Sequence, residues 1–223
     1  MRSASADQST RERIRDAAVL RFARDGFGAS VRTIATDAGV SPALVMHHFG
    51  SKDALHAECD ERVLTEIRAV KNESIDDLAS GKGILHRFAA ADEYAPMLGY
   101  VLRSVQDGGP VGRSFIEQMV EDAVGYTKHG VEAGLIKPSL DEPARARYLT
   151  LSALGVLILE ITLNPPEDPA DLGSIVRDFI TTSYLPMIEL YSQGFFTTRR
   201  MLDDYLLYVP DPPQDPATEP PSE

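Results

Sequence analysis

Between Ser30 and Leu55 the chain reads SVRTIATDAGVSPALVMHHFGSKDAL, and three of its positions leave the backbone little freedom. Ala35 is small, so a second helix can cross close above it. Gly39, four residues on, can take the positive φ that a tight turn needs. Val45, ten residues after Ala35, plugs the angle between the two helices. Ser30 caps the first of them, with Val31, Ile34, Ala35 and Ala38 as its buried stripe. Ser41-Pro42 is an N-cap followed by proline at the first helical position, where its missing N–H costs nothing. The second helix therefore runs from Pro42 to Phe49 and stops at Gly50, and Ser51 caps a longer one that begins at Lys52. Two short helices around a glycine turn form a helix-turn-helix. Upstream, Ser9 and Glu12 are spaced as a capping box ahead of Ile14, Ala18 and Phe22, and Gly26 ends that helix.

Charge divides the chain. The net charge of −12 over 223 residues argues against a polyanionic partner for the whole molecule. Residues 1–56 nevertheless hold eight basic and six acidic side chains, leaving fourteen basic and twenty-eight acidic for the rest. Any such partner is confined to the N-terminal part. A hydrophobic content of 43% is enough for a substantial core in one large or two small domains. Cys59 is the only cysteine, which excludes an intrachain disulfide and a cysteine-rich zinc site. The polar start MRSASADQST has no apolar core of a signal peptide. The longest apolar run, Ala153–Leu159, is too short to span a bilayer. These features predict a cytoplasmic protein with no membrane partner.

From Arg62 onward only helical patterns occur: Ile84–Asp92, Ala95–Gln106, Arg113–Ala133, Glu142–Leu163, Ala170–Tyr191 and Thr198–Tyr208. The fold class is all-α, with domains over 1–56 and 57–209. The tail 210–223 is acidic, proline-rich and without aromatics, and is predicted to be disordered.

The stretch AAVLRFARDGFGASVRTIATDAGVSPALVMHHFGSKDAL resembles the N-terminal pattern of the tetracycline-repressor (TetR) family of bacterial transcription regulators, most specifically in FARDGFGASV and FGSKDAL. The resemblance covers about the first quarter of the chain. It implies a homodimer with a small DNA-binding domain on a larger effector-binding and dimerisation domain. It also implies that the helix from Pro42 enters the major groove of a double-stranded operator. Pro42, Ala43, Leu44, Met46, His47 and His48 would then face DNA, Lys52 would bind a backbone phosphate, and Arg32 and Thr33 would make further backbone contacts. Arg2, Arg11 and Arg13 would reach phosphates or the minor groove. The family usually has tyrosine where this chain has Met46, whose thioether cannot donate to a phosphate, leaving His47 or His48 to take over that contact.

Two other chemistries compete for the histidines. His47 and His48 point about 100° apart on a helix and cannot easily share an ion, whereas His56 and Cys59, three apart, could. A lone ligand pair is a weak metal site, and the alternative places both residues on a linker helix; no metal or cofactor is expected. An imidazole on the groove side can hydrogen-bond a phosphate or a base edge. No enzyme motif is present: neither G-x-S-x-G, Walker A, H-E-x-x-H nor a Glu-x-x-His pair occurs.

In the C-terminal part, Ala146–Leu163 is apolar nearly all round and must be covered on every side. The resemblance assigns dimerisation to Tyr148–Leu163 and Ile175–Tyr191, with Pro186 kinking the second; a charge at Leu157, at the middle of the most apolar helix, should break the dimer or unfold the protein. Glu160 is expected across that interface, in a cavity or at the solvent edge. An unidentified small-molecule effector would be held by Met97, Tyr100, Val101, Leu102, Phe115, Met119, Tyr126 and Leu154, with His86 and Arg103 as polar anchors, although each could equally be plain core.

Overall fold

The computed structural model describes residues 2–83, 91–168, 170–211 and 213, with only the backbone described for 2–7 and 91. His86, most of the helix expected over Ile84–Asp92, and residues 214–223 of the expected tail lie outside the described residues. The described elements are α1 (Arg2–Asp25), α2 (Val31–Asp37), α3 (Pro42–Phe49), α4 (Lys52–Ala79), a 3₁₀ turn (Ala91–Tyr94), α5 (Ala95–Asp107), α6 (Gly109–Glu132), α7 (Glu142–Leu163), α8 (Leu172–Gln193) and α9 (Arg200–Tyr208). No strand occurs among the described residues.

The N-terminal core closes around the positions that the sequence singles out. Ile14, Ala18 and Phe22 of α1 and Ile34 and Ala35 of α2 are fully buried, and Val45 and Phe49 of α3 are nearly so. Gly39 has φ +64°, and the turn is closed by Val40 N donating to the Ala35 carbonyl at 2.9 Å. One expectation fails. α1 begins at Arg2, so Ser9 and Glu12 lie inside the helix and do not cap it. Nothing in RSASADQ breaks a helix, and propagation is cheap once a turn exists.

The C-terminal part is tied to this core by α5, which lies along α1 and against α8, while α6 packs on α4 and α7. The predicted break over Asp107–Gly112 shrinks to one residue, Gly108, because Pro110 sits in the first turn of α6 where proline is tolerated. α5 and α6 meet closely there: a Cβ on Gly112 would lie 2.5 Å from the Ser104 carbonyl oxygen.

α7 is covered on one face only. Ala146, Thr150, Leu154 and Leu157 are buried, while Tyr148, Leu151, Leu159 and Leu163 are exposed. Leu157 is 2% exposed and belongs to the chain's own core, so of the two outcomes expected for a charge there, unfolding is the one this packing favours. By length and composition this 22-residue helix would suffice to cross a bilayer, more than the Ala153–Leu159 run alone indicates. Its polar start is instead engaged within the protein, with Arg147 bonded to Glu117 of α6 at 2.7 Å. α8 continues through Pro186 as one helix, with Leu172, Ile175 and Val176 buried and Leu185, Leu190 and Tyr191 exposed.

Two glycines of α6 predict opposite outcomes. Gly125 is exposed with open space around its Cβ position, so Gly125→Ala should raise stability by about 0.5–1 kcal/mol, the ordinary helical gain. Gly112→Ala should lower it by about 1–3 kcal/mol, because backbone must move. Thermal and urea unfolding of the two variants check both signs.

Candidate nucleic-acid interface

α3 is built to show one side. The Ser41 hydroxyl accepts from Leu44 N at 3.2 Å, Pro42 opens the helix, and Gly50, at φ +74°, ends it. With Val45 and Phe49 directed into the core, helical geometry turns Pro42, Ala43, Met46 and His47 outward, and all four are exposed. Leu44 and His48 are half-buried at the edges of that face. Arg32 is exposed at the start of α2. Thr33 is half-buried and engaged with the Ser30 cap, its hydroxyl 2.9 Å from the Ser30 oxygen. Of the residues expected to face DNA, the structure thus leaves Arg32, Pro42, Ala43, Met46 and His47 exposed and Thr33, Leu44 and His48 half-buried.

The arginines expected to reach DNA from the N-terminal arm are used differently. Arg11 donates to the His48 carbonyl, pairs with Glu58 of α4, and sits 4.5 Å above the Phe49 ring. It locks the end of α3 to α4. Arg13 Nε donates to the Ala38 carbonyl at 3.1 Å, satisfying an acceptor at the end of α2. The side chain of Arg2 is outside the described residues. Arg21, which the sequence did not single out, holds Asp37 through two 2.7 Å bonds and so ties α1 to α2. Its guanidinium keeps the Asp37 carboxyl below the usual carboxylate range.

Lys52 marks the centre of a junction. Its Nζ donates to the Phe27 carbonyl at 2.6 Å, between α1 and α2. The Phe27 ring lies on the His56 ring, centroids 4.0 Å apart, and meets Tyr100 of α5 edge-on at 5.3 Å. The Tyr100 hydroxyl donates to Asp60 at 2.7 Å, and His56 Nε2 is 3.6 Å from the same carboxylate. Burial pushes Asp60 up and His56 down from their ordinary values. A few residues away, Arg103 of α5 donates to the Arg24 carbonyl at 2.8 Å and the Ala23 carbonyl at 3.4 Å. A cation there complements the C-terminal end of α1. The two most specific segments of the sequence resemblance, FARDGFGASV and FGSKDAL, therefore touch each other. Phe27, His56 and Asp60 were missed as members of this contact. The only signal in the sequence was an aromatic and a histidine flanking the two glycine breaks.

This arrangement relocates several residues expected to hold an effector. Arg103 is engaged with the end of α1. Tyr100 is fully buried, and Val101, Leu102, Phe115 and Leu154 are core residues, with the Tyr100 and Phe115 rings 5.8 Å apart. Met97 and Met119 are half-buried against the same core. Tyr126 is half-buried, and burial raises its hydroxyl above the usual range. A cleft of about 170 Å³ opens elsewhere, between the end of α7 and the start of α8. Glu160 lines it and accepts from Asn164 at 3.2 Å. Its volume is below the roughly 300–1,000 Å³ of ordinary ligand sites. Cys59 is buried, with its thiol donating to the Arg15 carbonyl at 3.7 Å. Among the described residues no group of three potential ligands could hold a metal ion.

Arg11 separates two accounts. If it anchors α3, Arg11→Ala should cost about 1–3 kcal/mol of folding stability, because the bonds to Glu58 and His48 go with the guanidinium. The slope of log affinity against log salt on duplex DNA should then be unchanged. If Arg11 neutralised a phosphate, the same variant would flatten that slope by about one unit per subunit. Unfolding and salt titrations of the variant decide.

Comparisons with known proteins agree with this architecture. Residues 14–59 match the family described as "Bacterial regulatory proteins, tetR family", and residues 92–197 match "Tetracyclin repressor-like, C-terminal domain". The chain is 40% identical over 202 residues to the HTH-type transcriptional regulatory protein RaaS of Mycobacterium tuberculosis, covering 91% of this chain and 94% of that one. Its fold is similar to SmeT, described as the repressor of the Stenotrophomonas maltophilia multidrug efflux pump SmeDEF, with TM-score 0.52, 20% identity and coverage of 78% and 91% of the two chains. It is also similar to a TetR-family regulator from Mesorhizobium loti, with TM-score 0.50, 20% identity and coverage of 78% and 96%. The chain belongs to the TetR family of helix-turn-helix, DNA-binding transcriptional regulators.

Proposed function

We propose that this regulator is a repressor that binds an operator as a homodimer and leaves it when an effector binds the C-terminal domain. The observation that carries the DNA-binding part is the outward face of α3, which offers Pro42, Ala43, Met46 and His47 to a groove while Val45 and Phe49 hold the helix from behind. In this reading Leu44 and His48 border the base contacts, and Arg32, Thr33 and Lys52 meet the phosphate backbone. Lys52 keeps two ammonium protons for phosphate while the third holds Phe27. A dimer would set two recognition helices about 34–36 Å apart, on successive major-groove faces. The protein would act where its DNA is, in the cytoplasm, and carries out no catalysis.

Dimerisation is assigned to Tyr148–Leu163 of α7 and Ile175–Tyr191 of α8. Their exposed apolar side chains support it, since a surface of this kind on a soluble regulator calls for a partner. The interface uses Tyr148, Leu151, Leu159 and Leu163 rather than Leu157. Repression is the role described for SmeT, and it is carried to this chain as part of the proposal.

Signalling would run through the junction. α5 holds both the end of α1, by Arg103, and α4, by Tyr100 and Asp60. An effector that favours a different seating of α5 would shift the recognition helices, by no more than its affinity difference for the two states. Met97, Tyr100, Val101, Phe115, Met119 and Tyr126 would line the site once α5, α6 and α7 separate. His86 would join them as a polar anchor. Tight packing of these residues also favours a second reading, in which the C-terminal domain responds to a protein partner and takes no small molecule.

Fluorescence anisotropy on DNA from upstream of the regulator's own gene tests the main reading. Full-length protein should bind that duplex more tightly than an unrelated one, and a metabolite extract should release it. His47→Ala should weaken binding by about 1–3 kcal/mol with unchanged melting temperature and dimer mass. Equal affinity of His47→Ala and parent would remove His47 from the interface. Release by a protein fraction but not by small molecules would favour the second reading.

A further inference from the structure

Directly beyond α8 the chain stays rich in apolar side chains. Gly194 breaks the helix, and the segment FFTTRRMLDDYLLY follows as Phe195, Phe196 and α9. Helical spacing puts Met201, Tyr205 and Tyr208 on one side of α9, with Asp204 at its edge and Asp203 turned away. Such a helix should rest its apolar side on something, yet α9 has no buried residue within its own chain. Phe195 is 79% exposed, Leu207 88% and Tyr208 84%. A nine-residue helix alone in water is marginal, since isolated helices shorter than about 12–15 residues rarely hold.

We infer that residues 195–208 form an arm that packs on the α7–α8 face of the second copy in the dimer. This rests on the proposed use of α7 and α8 as the dimer surface. Continuity is the first argument. Exposed apolar side chains recur along the chain from Leu185 and Tyr191 of α8 through Phe195 and Phe196 into α9, so the arm follows directly from the proposed surface. Symmetry is the second. In a two-fold dimer each arm leaves the interface beside the partner, and the same contact forms twice. Charge is the third. The arm has two arginines, Arg199 and Arg200, and two aspartates, Asp203 and Asp204. Arg199 and Asp203 already pair with each other at 2.7 Å. A helix meant for an anionic membrane surface carries a basic polar face instead. The neutral arm matches an apolar protein surface.

Photo-crosslinking tests the arm directly. Tyr205→p-benzoylphenylalanine is introduced into the full chain, unlabelled and ¹⁵N-labelled copies are mixed and re-equilibrated, and cross-linked peptides are identified by mass. Links between the arm of one isotope and α7 or α8 of the other are expected. Links confined to one isotope, or binding of the arm to phosphatidylglycerol vesicles without links between copies, would overturn the inference. In parallel, sedimentation equilibrium of the triple variant Phe195→Ser, Phe196→Ser, Tyr205→Ser should show a dimer dissociation constant raised at least tenfold with the monomer still folded. An unchanged constant would also overturn it. Leu159→Asp on α7 separates the two layers. If Leu159→Asp dissociates the dimer and the triple variant does not, the arm is wrong and the α7–α8 interface stands. If Leu159→Asp leaves the dimer intact, the α7–α8 reading itself fails, and the cross-links with it.

Discussion

The contact between Lys52 and the Phe27 carbonyl, under the stacked rings of Phe27 and His56, holds the rest of the structure in register. It joins the start of α4 to the loop between α1 and α2, and thereby fixes the frame in which α3 sits. Tyr100 and Asp60 attach the same cluster to α5. Charge and aromatic surface are combined because neither suffices there. An ammonium half withdrawn from water needs an acceptor, and the carbonyl of a loop residue needs a donor. A buried network of this kind is worth keeping only when each member is satisfied. The DNA-binding part and the C-terminal part therefore do not meet across a loose linker. They share α4 and are gripped at its first turns and at the end of α1.

What the sequence made legible followed local rules. Caps at Ser30, Ser41 and Ser51, proline at the first helical position, and a glycine turn are decided by residues a few positions apart, and α2 and α3 fall where those signals place them. Burial of Ala35 and Val45 follows from the same short-range logic. Long-range partners were not legible. Arg11 and Arg13 have the charge of phosphate contacts, and only the folded chain brings Glu58, the His48 carbonyl and the Ala38 carbonyl within their reach. The start of α1 was misplaced because a capping-box spacing also occurs inside helices.

α7 illustrates a different limit. Its residues are apolar on nearly every face, so periodicity cannot say which side meets the chain's own core. The structure divides them, with Leu154 and Leu157 inward and Leu151, Leu159 and Leu163 outward. The outward set, together with the exposed half of α8 and the apolar residues beyond Gly194, leaves one chain with more uncovered apolar surface than an isolated globule would keep. The expected effector residues show the same ambiguity from the other side. Methionine and aromatic side chains suit both a pocket and a packed core, and here Tyr100, Val101 and Phe115 are core.

The claim that the Phe27–Lys52–His56–Tyr100–Asp60 junction fixes the DNA-binding part against the C-terminal part is tested most directly by native-state hydrogen exchange on Tyr100→Phe. This change removes one hydroxyl and leaves the Asp60 carboxylate buried without its donor, at a cost of about 1–3 kcal/mol. The account predicts faster exchange, by about tenfold or more, at the end of α1 and in the first turns of α4, with exchange in α6 and α7 little changed. Equal exchange in the parent and the variant throughout α1 and α4 would contradict it.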